Sequence, residues 1–367
     1  MSSQQTMLAA MYYGAKDLRV EQIPVPTIQK PDQVLIKIAW CGICGTDLHE
    51  FESGPILCPS KETPHPITRA KLPICMGHEF SGIVQDVGAD VKDYQKGDKV
   101  VVEPTISCHE CYACKSDYTN ACETLGWVGL SGGYCGGLSE FVTIEQSYLH
   151  KLPENVSLQQ GAMVEPLAVA MHAVDQAKFE KGGTALVLGA GPIGCFVIKS
   201  LIARGASKVI CSEPSSSRRR MAELAGAHHV LSPKDTDIVQ RVSELTGHDK
   251  GVSAAFECAG VQQTLETAIS AVRTRGIVVN VAIWSTKPQI DMNALVLGEK
   301  TLTGMICYLN NHGPAIEALS TGQIDLSGFV TATTTLDKVV DRGFKELIHN
   351  NEQHVKILVS PTGDSPN

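Results

Sequence analysis

Gly182–Gly194 reads GGTALVLGAGPIG. Ala185–Leu188 is a short apolar run of the kind that makes a strand buried on both faces, and it stops at three glycines, Gly189, Gly191 and Gly194. Each glycine has a physical use. Gly189 permits a tight turn, Gly191 removes the side chain that would block a pyrophosphate, and Gly194 lets the next helix lie close to the strand. Pro192 and Ile193 stand between them, where a helix N-terminus would face the phosphates. A second apolar run, Lys208–Ser212, ends at Glu213, roughly 20 residues beyond Gly191, where this pattern places a carboxylate on the adenosine ribose hydroxyls. Glu213 would repel a 2′-phosphate, so NAD is expected over NADP. The basic run that opens at Arg218 could embrace a phosphate or stack on adenine.

Strand and helix patterns alternate from residue 184 onward, with strand candidates at 185–188, 208–212, 230–231, 253–258, 277–283 and 301–306. This predicts a six-stranded, doubly wound parallel sheet. Cys258, Ala282 and Trp284 fall at carboxyl ends of later strands, where such sheets bind ligands, and their backbone groups are candidates for holding a nicotinamide amide. The strand at 301–306 would be an edge, expected to pair with a second subunit in a homodimer or homotetramer. No such alternation precedes residue 184. Short alternating segments broken by prolines, YYGAKDLRVEQIPVP and QVLIKIAW, predict a β-rich start. The expected organisation is a dinucleotide-binding Rossmann domain, 167–307, inserted into a catalytic domain made of 1–166 and 308–367.

Composition narrows the partners. The 367 residues are 43% hydrophobic and 19% charged, as in a globular chain with room for two cores. A net charge of -8 argues against nucleic acid or an anionic membrane surface. No apolar stretch approaches bilayer length, and the N-terminus lacks the pattern of a signal peptide, so a cytoplasmic protein is expected. In that setting the 13 cysteines read as metal ligands and buried thiols rather than disulfides.

Four of them, Cys108, Cys111, Cys114 and Cys122, follow the spacing of a closed structural zinc site, a lobe spanning 104–123. The turn Cys41–His49, CGICGTDLH, concentrates thiols, a hydroxyl, a carboxylate and an imidazole, and Met76–Glu79 adds a His-Glu pair. Cys41 and Cys44 could be a redox pair, although the flanks are not thioredoxin-like. Cys44 with His78 and a carboxylate is a candidate for a catalytic zinc, which keeps a position open for water or substrate. Glu165 lies in an apolar helical pattern, 157–176, where a carboxylate is costly unless it is paired or metal-bound. His172, in the same stretch, reads as a core or interface histidine.

Together GICGTDLHE, GHEFSGIV, the four-cysteine lobe, VEPLAVAMHAV, LVLGAGPIG and VKILVS resemble the zinc-containing medium-chain alcohol and polyol dehydrogenases. WCGICGTDLHE, NVAIW and GMICY are most similar to the (R,R)-2,3-butanediol dehydrogenase branch near sorbitol dehydrogenase. The resemblance implies an α/β protein with a GroES-like β-rich catalytic domain and a Rossmann coenzyme domain. It implies a catalytic zinc on Cys44, His78 and either Glu79 or Glu165, with Cys41 not a ligand. It further implies a proton relay through Thr46 and His49, Asp47 orienting His78, and hydride transfer between a secondary alcohol or its ketone and NAD. A vicinal diol such as 2,3-butanediol, with acetoin as its ketone, is the expected substrate. The insertion at 55–73 and Met171 depart from that branch, which leaves a bulkier secondary alcohol or polyol as the alternative. Rivals are a zinc-free enone reductase of the superfamily and a nucleotide-binding structural protein that keeps only the structural zinc.

Overall fold

The computed structural model describes residues 5–363. The strands of its first half are β1 (Thr6–Gly14), β2 (Asp17–Pro24), β3 (Gln33–Gly42), β4 (Ile74–Cys75), β5 (Glu79–Val87), β6 (Lys99–Val102), β7 (Thr105–Ile106), β8 (Gly126–Trp127), β9 (Phe141–Glu145) and β10 (Leu149–Lys151). Four helices accompany them: α1 (Gly45–Ser53), α2 (Tyr112–Lys115), α3 (Leu158–Gly161) and α4 (Val164–Gln176). There follow β11 (Thr184–Leu188), α5 (Pro192–Ala203), β12 (Lys208–Ser212), α6 (Ser216–Ala225), β13 (His229–Leu231), α7 (Ile238–Thr246) and β14 (Val252–Glu257). Next come α8 (Gln262–Ala271), β15 (Val272–Asn280), α9 (Met292–Val296) and β16 (Thr301–Gly304). The chain closes with α10 (His312–Ser320), β17 (Val330–Thr335), α11 (Lys345–His349) and β18 (Lys356–Ser360).

Two compact units result. The first comprises the chain up to Glu165, His312–Thr321, and the chain from Leu326. Its main sheet runs β10-β6-β5-β3-β18-β17, with β9 also on β3, and a smaller sheet runs β2-β1-β4. β3 pairs antiparallel with β5, β9 and β18, and its last residues, Trp40 to Gly42, are buried throughout. That burial explains why the sequence stops alternating and reads WCG there.

The second unit, Pro166–Asn311 with Gly322–Asp325, holds the parallel sheet β13-β12-β11-β14-β15-β16. Chain order therefore reverses between β11 and β14, the point at which doubly wound sheets bind ligands. β15 begins earlier than expected and stops at Asn280, leaving the expected strand end at 281–283 as a loop.

The helical stretch after Ser157 is broken. Ser157 caps α3, its hydroxyl accepting from the Gln160 N–H at 3.2 Å while the Gln160 amide oxygen accepts from the Ser157 N–H at 2.9 Å. A continuous helix would place Pro166 in its interior, against the Ala162 carbonyl; restarting at Val164 moves the proline into a first turn, where it is tolerated.

The glycine turn after β11 separates packing from ligand access. A Cβ on Gly194 would lie 2.0 Å from the Gly189 carbonyl oxygen, whereas one on Gly191 would meet nothing within 4 Å. Gly194→Ala should therefore lower stability in chemical denaturation by about 1–3 kcal/mol, the cost of overpacking. Gly191→Ala should cost less than about 1 kcal/mol, because this helix cap has open space around it.

Candidate active site

β3 ends at Gly42, and two residues later Cys44 caps the N-terminus of α1. Asp47, one turn into that helix and buried, accepts the Cys44 N–H on Oδ2 at 2.9 Å. Its other oxygen faces His78 Nδ1 at 3.4 Å. One carboxylate thus fixes both the thiol-bearing cap and the imidazole. His78 is delivered inward by Gly77, whose φ of +97° and tight surroundings leave no room for a side chain: a Cβ would sit 2.7 Å from the Leu138 backbone nitrogen. Cys44, His78 and Glu79 converge, with one ligand atom from each lying within 4.8 Å of the others. Cys41 is buried and lies outside this group.

Glu79 has 0% exposure, and both of its oxygens accept from Lys356 Nζ, at 2.9 and 2.6 Å. Lys356, on the last strand, also donates to the Ile43 carbonyl at 3.3 Å. Gly42 lies opposite Glu79 in the β3·β5 register, and a Cβ there would meet Glu79 Oε2 at 2.2 Å. The carboxylate reaches Lys356 because position 42 has no side chain.

The donor set suits a divalent cation. Burial works against a charged His78, yet Asp47 and Cys44 beside it raise its pKa well above the ordinary imidazole value. Glu165, in the first turn of α4, is pushed up to about 8, chiefly by burial, with Glu79 and Asp47 adding to the rise and His78 and Lys356 opposing it. Both groups hold protons where a cation would serve. Thr46 is half-buried in the first turn of α1, and His49 is exposed three residues on.

Cys108, Cys111, Cys114 and Cys122 form the second group. Cys108 and Cys122 sulfurs are 3.5 Å apart, and the Cys108–Cys114 and Cys111–Cys122 pairs 4.0 Å. A tetrahedron with Zn–S bonds of about 2.3 Å has edges of about 3.8 Å, so the thiols stand at zinc spacing and too far apart for disulfides. Backbone N–H groups of Glu110 and Cys111 point at the Cys108 sulfur and lower its thiol to about 6, favouring the thiolate that a metal binds.

In the second unit Glu213, buried at the end of β12, accepts the Ala190 N–H at 2.8 Å and the Ser215 N–H at 2.9 Å. It braces the turn formed by Gly189, Gly191, Pro192 and Ile193. Arg218 is half-buried on α6, and Arg219 donates to the Glu213 and Pro214 carbonyls at 3.1 and 2.9 Å. Cys258, Ala282 and Trp284 do lie beyond β14 and β15, but their donors are partly committed. The Cys258 N–H bonds Leu188 O at 3.0 Å, the Ala282 N–H bonds Glu257 O at 3.1 Å, and the Trp284 indole donates to Asn280 at 2.7 Å. Sequence reasoning missed Glu257, buried at the end of β14, which accepts from the Ala259 and Gly260 N–H groups, each at 2.9 Å, and from the Thr264 hydroxyl at 2.7 Å. It also missed Lys356 and Gly42. A lysine opening an otherwise apolar strand, VKILVS, was the available signal for the former.

Comparison with known proteins agrees with this chemistry. Residues 30–154 match the alcohol dehydrogenase GroES-like domain and residues 192–321 match the zinc-binding dehydrogenase family. An (R,R)-butanediol dehydrogenase of Neisseria gonorrhoeae is 42% identical, over 97% of this chain and 99% of its own. The chain belongs to the zinc-containing medium-chain alcohol dehydrogenases. Its GroES-like and Rossmann units are those of the family, and it is an oxidoreductase acting on CH–OH groups. The crystal structure of 2R,3R-butanediol dehydrogenase from Bacillus subtilis superposes with a TM-score of 0.90 at 41% identity, covering 97% of this chain and 99% of that one. A zinc-binding dehydrogenase of Sinorhizobium meliloti bound to NADP matches with a TM-score of 0.87 at 29% identity, covering 98% and 100%. No helix among the described residues of this dehydrogenase is long and apolar enough to cross a membrane.

Two measurements follow for this alcohol dehydrogenase. Lys356→Met leaves Glu79 buried without its cation and should cost about 3–5 kcal/mol in denaturant unfolding, most of it recovered in Glu79→Gln/Lys356→Met. Cys111→Ser should lose one zinc equivalent by elemental analysis and lower the melting temperature, because α2 and its neighbours build little core of their own.

Proposed function

We propose that this enzyme interconverts a vicinal secondary diol, such as 2,3-butanediol, and its ketone, such as acetoin, with NAD as hydride carrier. The observation that carries the reading is the convergence of Cys44 and His78 beside buried Glu79, backed by Asp47, with the buried Glu165 carboxyl feeling the charge of His78. The butanediol activity named for relatives at 42% identity supports the substrate class. Bound zinc would supply a Lewis acid that lowers the pKa of an alcohol, and NAD would accept the hydride.

Every other part falls to the protein. Cys44 and His78 would hold the ion with Glu165, whose carboxyl interacts with the His78 charge: Lys356 already balances Glu79, so one thiolate and the Glu165 carboxylate would neutralise the ion's two charges. Thr46, two residues beyond Cys44, takes the hydroxyl proton, and His49, exposed on the same helix, passes it to solvent. Asp47 keeps the His78 ring in place by receiving its Nδ1 side. The four-thiol lobe would hold a structural zinc, closed to substrate.

Glu213 supports NAD, because a carboxylate fixed by two backbone N–H groups at the ribose end of β12 repels a 2′-phosphate. The NADP-bound relative and Arg218 make the comparison worth measuring. The first unit acts as the catalytic domain and the second as the coenzyme domain. Among the described residues β16 has a neighbour on one side only, so a second copy of the chain pairs there to make a homo-oligomer. A cytoplasmic setting suits the reduced thiols.

The test is NADH formation across vicinal diols, sugar alcohols and bulkier secondary alcohols, with NADP run in parallel. 2,3-Butanediol with NAD should give the highest kcat/KM, and Glu213→Ala should narrow the NAD preference at least tenfold. Cys44→Ala and His78→Ala should abolish turnover. Glu165→Gln should lose catalytic zinc while keeping the lobe's. Turnover surviving in Cys44→Ala would sink the reading.

A further inference from the structure

A third cluster in the first unit shares no residue with either group above. Glu103 follows β6, and its N–H donates to the Tyr148 carbonyl at 2.8 Å. His150 lies in β10, paired with β6, and His312 opens α10. Glu103 Oε2 is 2.8 Å from His150 Nε2 and 3.6 Å from His312 Nδ1. The two imidazoles stack with centroids 5.3 Å apart and an interplanar angle of 17°. One ligand atom from each residue lies within 4.8 Å of the other two.

We propose that Glu103, His150 and His312 form a further metal site, taking a first-row divalent cation of the zinc class through two imidazoles and one carboxylate. Bonds of about 2.0–2.1 Å in a tetrahedron put ligand atoms about 3.3 Å apart, and the 2.8 and 3.6 Å separations bracket that value. Small side-chain shifts suffice. Both imidazoles face the same carboxylate oxygen, and His312 is fully buried.

The protonation states suit ligation. Burial pushes His312 down to about 4, so its ring is neutral and offers a lone pair. Burial opposes ionisation of Glu103, but the hydrogen bond with His150 and the nearby His312 hold its carboxyl below the ordinary value. Side-chain exposures of 32% for His150 and 25% for Glu103 give an ion a way in and leave room for water as a further ligand. The three ligands come from the residue after β6, from β10 and from the start of α10, so the ion would tie α10 to the strands at the root of the cysteine lobe. Its role is structural and independent of the substrate reading.

The test is metal stoichiometry of the full-length protein after incubation with zinc and desalting. Wild type should hold three equivalents, and Glu103→Gln and His150→Ala two, with circular dichroism confirming folding. Cobalt loaded at this site should add weak d–d bands without the thiolate charge-transfer bands that the cysteine groups produce. The third equivalent should also raise the wild-type melting temperature by about 5 °C at a hundredfold excess over Kd, and leave both variants unmoved. Two equivalents in wild type, or a third retained by both folded variants, would overturn the proposal. Neither result depends on turnover, so a failure here is separable from a failure of the assigned reaction.

Discussion

The ion pair between Glu79 and Lys356 is the constraint on which the first unit's site depends. A carboxylate with no exposure, directly after His78, must be neutralised by a partner, and the partner is 277 residues away in the chain. Coulomb attraction in a dry interior is strong, but it offsets desolvation only when the geometry is close and the remaining lone pairs are engaged. Here both oxygens meet one ammonium, which spends a further proton on Ile43, immediately before Cys44. β18 must therefore pair with β3 before the site is electrically complete. Gly42 is the geometric condition for the same contact.

The second unit handles its buried carboxylates by another route. Glu213 and Glu257 end the two strands that flank β11, and both are satisfied by backbone N–H groups of the loops they border. A carboxylate accepting two or three such bonds fixes loop geometry without needing a cation. The glycine turn is thereby braced by Glu213, and the loop after β14 by Glu257. Cys258 and Ala282 contribute backbone N–H groups to this internal bracing, so what they offer a ligand comes from other atoms.

Most of this architecture was legible because it is written in local pattern. Apolar runs ending in glycine mark strands of a doubly wound sheet, and four cysteines at zinc spacing mark a lobe with little core. Cys44, His78 and Glu79 stood out because their residue types are expensive to bury together. Lys356 and Gly42 did not, since their meaning exists only in the β3·β5 and β3·β18 pairings, which no local period encodes. Glu257 was hidden inside an apolar run read only as strand. The break between α3 and α4 was within reach of the sequence, since Pro166 forbids a continuous helix, but the periodicity of the flanking residues masked it.

The shifts at His78 and Glu165 have different causes, burial overridden by neighbouring charge at the imidazole and burial itself at the carboxyl. Burial should drive protons off an imidazole and onto a carboxyl; His78 retains its proton against that tendency, and Glu165 follows it. Negative charge lies beside both groups, from Asp47 and Cys44 at His78 and from Glu79 and Asp47 at Glu165, where His78 and Lys356 oppose it. A pocket with that balance favours positive charge at its centre, and a divalent ion would satisfy the demand while its ligands release their protons to solvent. Asp47 is the pivot, because the same carboxylate that holds the Cys44 N–H also supplies the field felt by His78. Geometry and charge are thus fixed by one side chain at the first turn of α1, which is why a nine-residue helix can carry so much of the site.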